Sequence, residues 1–76
     1  MTPRDALRAS GRDAEWLGHA IPATNGHYRV NLPALQPEQL ADLMNLMLDG
    51  WHCTVAPRSA RFVTARLTPP ARQAAA

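Results

Sequence analysis

Residues 36–50, QPEQLADLMNLMLDG, decide how this chain is read. Gln36 and Gln39 bracket Pro37 and Glu38, which is the composition of a helix start: a proline at the first helical position, an acid in the first turn and a glutamine that can reach back to the cap. Leu40, Leu43, Met44 and Met47 then recur at i, i+3, i+4 and i+7, with Ala41 and Leu48 on the flank, so this stripe is expected to face a core. Glu38, Asp42, Asn45 and Asp49 line the opposite face. Leu46 fits neither face and is expected near the surface. Gly50 closes the helix as a left-handed cap, and Leu35 is placed to staple onto Leu40.

Downstream, Trp51–Ala56 and Arg61–Leu67 read as two strands joined at Pro57-Arg58-Ser59-Ala60. Trp51, Cys53 and Val55 share one side of the first, and Val63, Ala65 and Leu67 one side of the second. Those sides should meet the helix, which leaves His52, Thr54, Phe62, Thr64 and Arg66 on the reverse. Upstream, Asn25-Gly26 is a hairpin signal, and Tyr28, Val30 and Leu32 alternate with Arg29 and Asn31 as a half-buried strand does. A two-residue loop would set Pro22 against Arg29 at a hydrogen-bonded pair, where proline cannot donate. A three-residue loop with a bulge at Gly26 moves it to a tolerable position. Either way Pro22 marks a sheet edge.

The N-terminal segment opens with Thr2 as a cap, Pro3 at the first helical position and Asp5 facing the cap. Ala6, Leu7, Ser10, Ala14 and Leu17 fall on one helical face. Gly11 interrupts it, so the segment is one weakened helix or two short ones, with Ser10–Asp13 offering a second capping box. The order helix, hairpin, helix, hairpin is that of a small α+β domain with one antiparallel sheet, spanning residues 1–68 and followed by a flexible Pro/Ala-rich tail over 69–76.

Seventy-six residues allow one domain with a thin core. Hydrophobic residues make up 46%, but 14 of them are alanine, so large apolar side chains are scarce. All eight basic residues are Arg, which leaves no amine for Schiff-base or P-loop chemistry. The single Cys excludes an intrachain disulfide and a multi-Cys zinc site and fits a reducing, cytoplasmic setting. No apolar run is long enough to span a membrane.

Charge is unevenly distributed. Residues 1–29 carry four Arg and three acids, 30–57 three acids and no base, and 58–76 four Arg and no acid, which sums to the net +2. Two surfaces follow. One is basic, with Arg58, Arg61 and Arg66 near Phe62 and His52; guanidinium groups beside an aromatic suit a protein hot spot or base stacking with phosphate contacts. The other is acidic, with Glu38, Asp42 and Asp49 on the central helix. The plainer reading of both is solvated surface, with Phe62 buried under the first helix. His52 and Cys53 are strand neighbours and point to opposite faces, so they cannot share a metal ion. Cys53 has no positioned base and reads as a small buried hydrophobe. No metal or other cofactor is expected, nor a catalytic residue. Gly26-His27 and Gly18-His19 are similar to the Gly-His step of small RNA-cleaving toxins, the one enzymatic reading.

Over Ala20–Leu67, the Asn25-Gly26 hairpin, the Gln36–Asp49 helix and the Trp51–Leu67 hairpin together resemble the small anti-CRISPR proteins of phages and mobile elements. The resemblance implies a non-enzymatic inhibitor or modulator that occupies a surface of a Cas effector complex. It carries over no functional residue, and the net positive charge argues against a wholly acidic DNA mimic. A small Arg-rich nucleic-acid-binding module using the Phe62/Arg66 face is the alternative of a different class.

Overall fold

Thr2 opens the first helix as its sequence dictates: its Oγ1 accepts the Asp5 N–H at 3.1 Å, and Pro3 follows at the first helical position. The computed structural model describes residues 2–23 and 25–70. Helix α1 spans Pro3–Ala9, and a short 3₁₀ turn spans Glu15–His19, so the segment is two pieces. Where α1 ends, the Gly11 N–H bonds to Arg8 O (2.9 Å) and the Arg12 N–H to Leu7 O (3.0 Å). Ser10 therefore serves as a C-cap and opens no second capping box. Asp13 instead accepts from Arg4 and Arg8 at 3.1 and 3.4 Å, and the Arg4 hydrogen bond foremost holds its carboxyl below the usual value.

Strand β1 (Ile21–Pro22) and strand β2 (Tyr28–Leu32) form the first hairpin. Pro22 pairs with Tyr28 and Ile21 with Arg29. The Ala23 N–H donates to His27 O at 2.8 Å and the Gly26 N–H to Ala23 O at 3.1 Å, with Gly26 at φ 78°. This is the three-residue loop with a glycine bulge, and it spares Pro22 the pairing with Arg29.

Helix α2 spans Pro37–Leu48, with Gln39 Oε1 accepting the Gln36 N–H at 2.8 Å. It ends in a Schellman pair: the Gly50 N–H donates to Met47 O and the Trp51 N–H to Leu46 O, both at 3.0 Å. Gly50 needs its φ of 96° for that turn, and a Cβ there would also come within 3.3 Å of Pro70 Cγ. The second hairpin, strand β3 (His52–Pro57) and strand β4 (Val63–Thr68), completes a four-stranded antiparallel sheet in the order β1-β2-β4-β3. Pro69 and Pro70, which follow β4, are half-buried. The expected tail beyond Pro70 lies outside the described residues.

Both helices lie on one side of the sheet. Leu7, Leu17, Leu43, Leu46, Trp51 and Leu67 form the larger apolar cluster, and Val30, Leu32 and Ala65 a second one; Trp16 and Leu35 pack against both. Tyr28 and Trp51 stack at a tilt, with ring centroids 6.3 Å apart.

The facing of α2 differs from the sequence expectation. Leu46 is fully buried (0% exposed) with Leu43, whereas Leu40, Met44 (65% exposed), Met47 and Leu48 (85% exposed) look outward. Asp42 explains the roll. It is 7% exposed, and both of its oxygens are hydrogen-bonded: Arg12 Nε and Nη2 donate to Oδ1 at 3.0 and 2.9 Å, and Trp16 Nε1–H donates to Oδ2 at 2.8 Å. A carboxylate so satisfied can be buried. With Asp42 turned toward the segment after α1, the inward arc of α2 centres on Leu43 and Leu46, and the Leu40–Met44–Met47 stripe rotates away.

Three consequences are measurable. Leu46→Ala should cost about 2–5 kcal/mol, while Leu40→Ala should cost under ~1 kcal/mol, read as melting temperatures. Asp42→Ala should cost about 2–3 kcal/mol, because the Trp16 indole N–H is left without its acceptor and Arg12 must rehydrate. Cys53 is half-buried beneath α2, its Sγ 3.9 Å from Leu43 O, and desolvation pushes its thiol up to about 11 from 9.0. A folded-state value above the unfolded one adds stability that is full below pH 9 and is lost as pH rises toward about 11. Denaturant midpoints over that interval should fall for the native chain and show no such component in Cys53→Ala.

Candidate interaction surface on the open sheet face

Among the described residues nothing covers the side of the sheet away from the helices, and strand register fixes what it carries. Across its middle, Ile21, Arg29, Arg66 and Thr54 lie in one row. Asn31, Thr64 and Ala56 form the next row, and Thr68 and His52 close one end. At the other end the Arg58 N–H donates to Phe62 O at 2.9 Å, which extends the β3–β4 pairing by one step and sets Arg58 opposite Phe62. Arg58 Nη1 reaches back to Asn31 Oδ1 (3.4 Å), and the Thr64 hydroxyl donates to the same oxygen at 2.8 Å. Asn31 thus holds the Arg58 side chain along the face.

The expected basic site is therefore brought together as a track rather than a cluster. Arg58, Phe62 and Arg66 share the face, with Phe62 45% exposed and not covered by α1, which packs on the other side. His52 shares it too, but about 20 Å from Arg58 along β3 at 3.3 Å per residue. Arg61 sits in the hairpin loop beside the face, its backbone N–H on Ser59 Oγ. Sequence reading missed Arg29 and Ile21. The alternation put Arg29 on an outer face, but only the register, Arg29 opposite Arg66, brings it beside the second hairpin.

The electrostatics divide by layer. All six acids fall between Asp5 and Asp49, in or beside the helices, and none lies on β1–β4. Arg4 and Arg8 pair with Asp13, and Arg12 with Asp42. Among the described residues, Arg29, Arg58, Arg61 and Arg66 have no carboxylate partner. Arg29 and Arg66 stand directly opposite one another, an arrangement that costs stability when nothing neutral or acidic intervenes. Such an array offers planar donor forks to carboxylate or phosphate oxygens.

The expected acidic face does not form. Asp42 is buried on Arg12, and Asp49, at the C-cap of α2, accepts from Ser10 Oγ at 3.3 Å. Glu38 remains exposed in the first turn. It borders an open groove of about 660 Å³ that is also lined by Glu15, Trp16, Gln39 and the Arg12–Asp42 pair. His52 and Cys53 point to opposite sides of β3, as alternation requires, and no three metal-ligating side chains converge among the described residues. No helix among the described residues is long and apolar enough to cross a membrane.

Compared with protein-family models, with curated proteins and with solved structures, the chain has no match in any of the three.

Proposed function

We propose that this chain is a non-enzymatic binding protein that modulates a larger complex by docking its open sheet face on an acidic surface of that complex. One observation supports this above the others: Arg4, Arg8 and Arg12 pair with the molecule's own acids, while among the described residues Arg29, Arg58, Arg61 and Arg66, on or beside the open sheet face, have no carboxylate partner. Side chains on paired strands lose little freedom on docking, and Arg beside an exposed aromatic is the composition of interface anchors. The resemblance to anti-CRISPR proteins makes a Cas effector complex the first partner to test.

A second reading, nucleic-acid binding, is favoured by one feature. Phe62 stands opposite Arg58 at the end of a row of Arg and Thr residues, and an exposed ring at the end of a basic track can stack a base while the guanidinium groups hold phosphates.

The double variant Arg29→Ala, Arg66→Ala separates function from fold. Its melting temperature should be unchanged or slightly higher, since a like-charged pair is removed. Its affinity for the protein partner, by calorimetry or interferometry, should fall by at least ~2 kcal/mol. Glu38→Gln should leave that affinity within about twofold. Titration with single- and double-stranded oligonucleotides decides between the readings: micromolar binding that falls steeply with salt and vanishes in Phe62→Ala would replace the protein partner with a nucleic acid.

A further inference from the structure

The apolar stripe of α2 and the outer edge of β3 lie on the same flank of the molecule. Leu43 sits over Cys53, close enough for the thiol to reach its carbonyl. Leu40, Met44 and Met47 are the i−3, i+1 and i+4 neighbours of Leu43, on the side of α2 opposite Asp42 and α1. They therefore look out over β3, joined by Leu48, all exposed. Val55, on the helix side of β3 opposite the buried Ala65, is exposed as well. Beyond β3 the sheet has no further strand among the described residues.

The two sheet edges are treated differently. β1 is two residues long and contains Pro22, both standard protections against strand addition. β3 runs six residues, His52-Cys53-Thr54-Val55-Ala56-Pro57, with no Lys, Arg, Asp or Glu and a proline only at its last position. It is an open template beside an open apolar helix face.

We propose that this flank is a homodimer interface: β3 pairs antiparallel with β3 of a second copy across a twofold axis, and the two α2 stripes pack against each other above the joined sheet. A second copy fits better than other occupants on three grounds. An uncharged strand edge and an uncharged apolar stripe are self-complementary, whereas a charged patch on either would repel its own image. The twofold supplies both elements at once, strand to strand and helix to helix, and so covers the whole flank. Residues 71–76, Ala71-Arg72-Gln73-Ala74-Ala75-Ala76, carry no large apolar side chain with which to cover Leu40, Met44, Met47 and Leu48. The resulting eight-stranded sheet would place the two Arg tracks on one continuous face. The dimer does not depend on what that face binds.

Sedimentation equilibrium of the full chain at about 10–200 µM tests it. The expected mass is twice 8.3 kDa. Met44→Glu and Val55→Lys, each at an exposed position, should raise the dimer dissociation constant at least ~100-fold, since each places an unpaired charge in the interface on both copies. Their circular dichroism and melting behaviour at low concentration should match the native chain. Leu48→Glu, at the most exposed site of the stripe, serves if either of them fails to fold. A native chain of 8.3 kDa throughout overturns the proposal, as does a dimer indifferent to all three substitutions. A chain ending at Pro70 that dimerises while the full chain stays monomeric also overturns it, and names residues 71–76 as the occupant.

Discussion

The placement of α2 rests on one carboxylate. Asp42 receives two hydrogen bonds from the Arg12 guanidinium and one from the Trp16 indole, so a single buried acid ties the central helix to the segment that follows α1. The network does more than satisfy its members. It sets the roll of α2 and so decides that Leu46 goes inward and Met44 outward. It also fixes the Trp16 ring where it packs against both apolar clusters. Without it, an α2 rolled to bury Leu40, Met44 and Met47 would have been the cheaper hydrophobic solution, since those side chains are at least as large as the ones actually buried.

A chain of this size cannot cover two faces of a sheet. With 14 Leu, Ile, Val and Phe residues in all, the apolar supply suffices for one helix–sheet interface. The second sheet face is then largely polar, and here it is built from Arg, Thr, Asn and His, with Ala56 among them, Ile21 at one edge and Phe62 at the hairpin end. Its openness is thus a consequence of composition, but its charge is not. Serine, threonine or mixed Lys–Glu pairs would have kept it solvated equally well, and opposite charges across strands would have stabilised it. Arg29 facing Arg66, without a carboxylate beside them among the described residues, is a locally unfavourable choice.

Much of the fold was legible because local chemistry fixed it. Thr2-Pro3 and Gln36-Pro37 start the helices, Gly50 ends the second, and Pro22 marks an edge strand; each works through backbone hydrogen bonds within a few residues. The Gly26 loop could be narrowed to two geometries, and the proline chose between them. What the sequence could not convey was which arc of α2 is inside. Apolar residues occupy well over half of its circumference, so periodicity alone leaves the roll undetermined, and the deciding contacts come from Arg12 and Trp16, 30 and 26 residues away. The same limit governed the surfaces. Arg58, Phe62 and Arg66 could be grouped because they share one hairpin, whereas Arg29 joins them only through the β2–β4 register. Asp42 counted as surface acid because nothing local announces a distant guanidinium.

The division of charge between layers gives the molecule a direction that its net +2 conceals. On the helix side six acids stand against Arg4, Arg8 and Arg12, with Asp13 and Asp42 in ion pairs and Glu15 and Glu38 exposed, so that layer carries a net negative charge. On the sheet side Arg29 and Arg66 stand on strands with the apolar core beneath them, Arg58 and Arg61 flank them at the hairpin end, and none of the four has a carboxylate partner among the described residues. The positive potential over that face raises the local concentration of anionic partners and their rate of approach. Surface charge arranged merely for solubility would gain from interspersed signs. Segregation that places like charges opposite one another gains only when something of opposite charge arrives, and the sheet face, rather than the groove above Asp42, is where that arrival is electrostatically favoured.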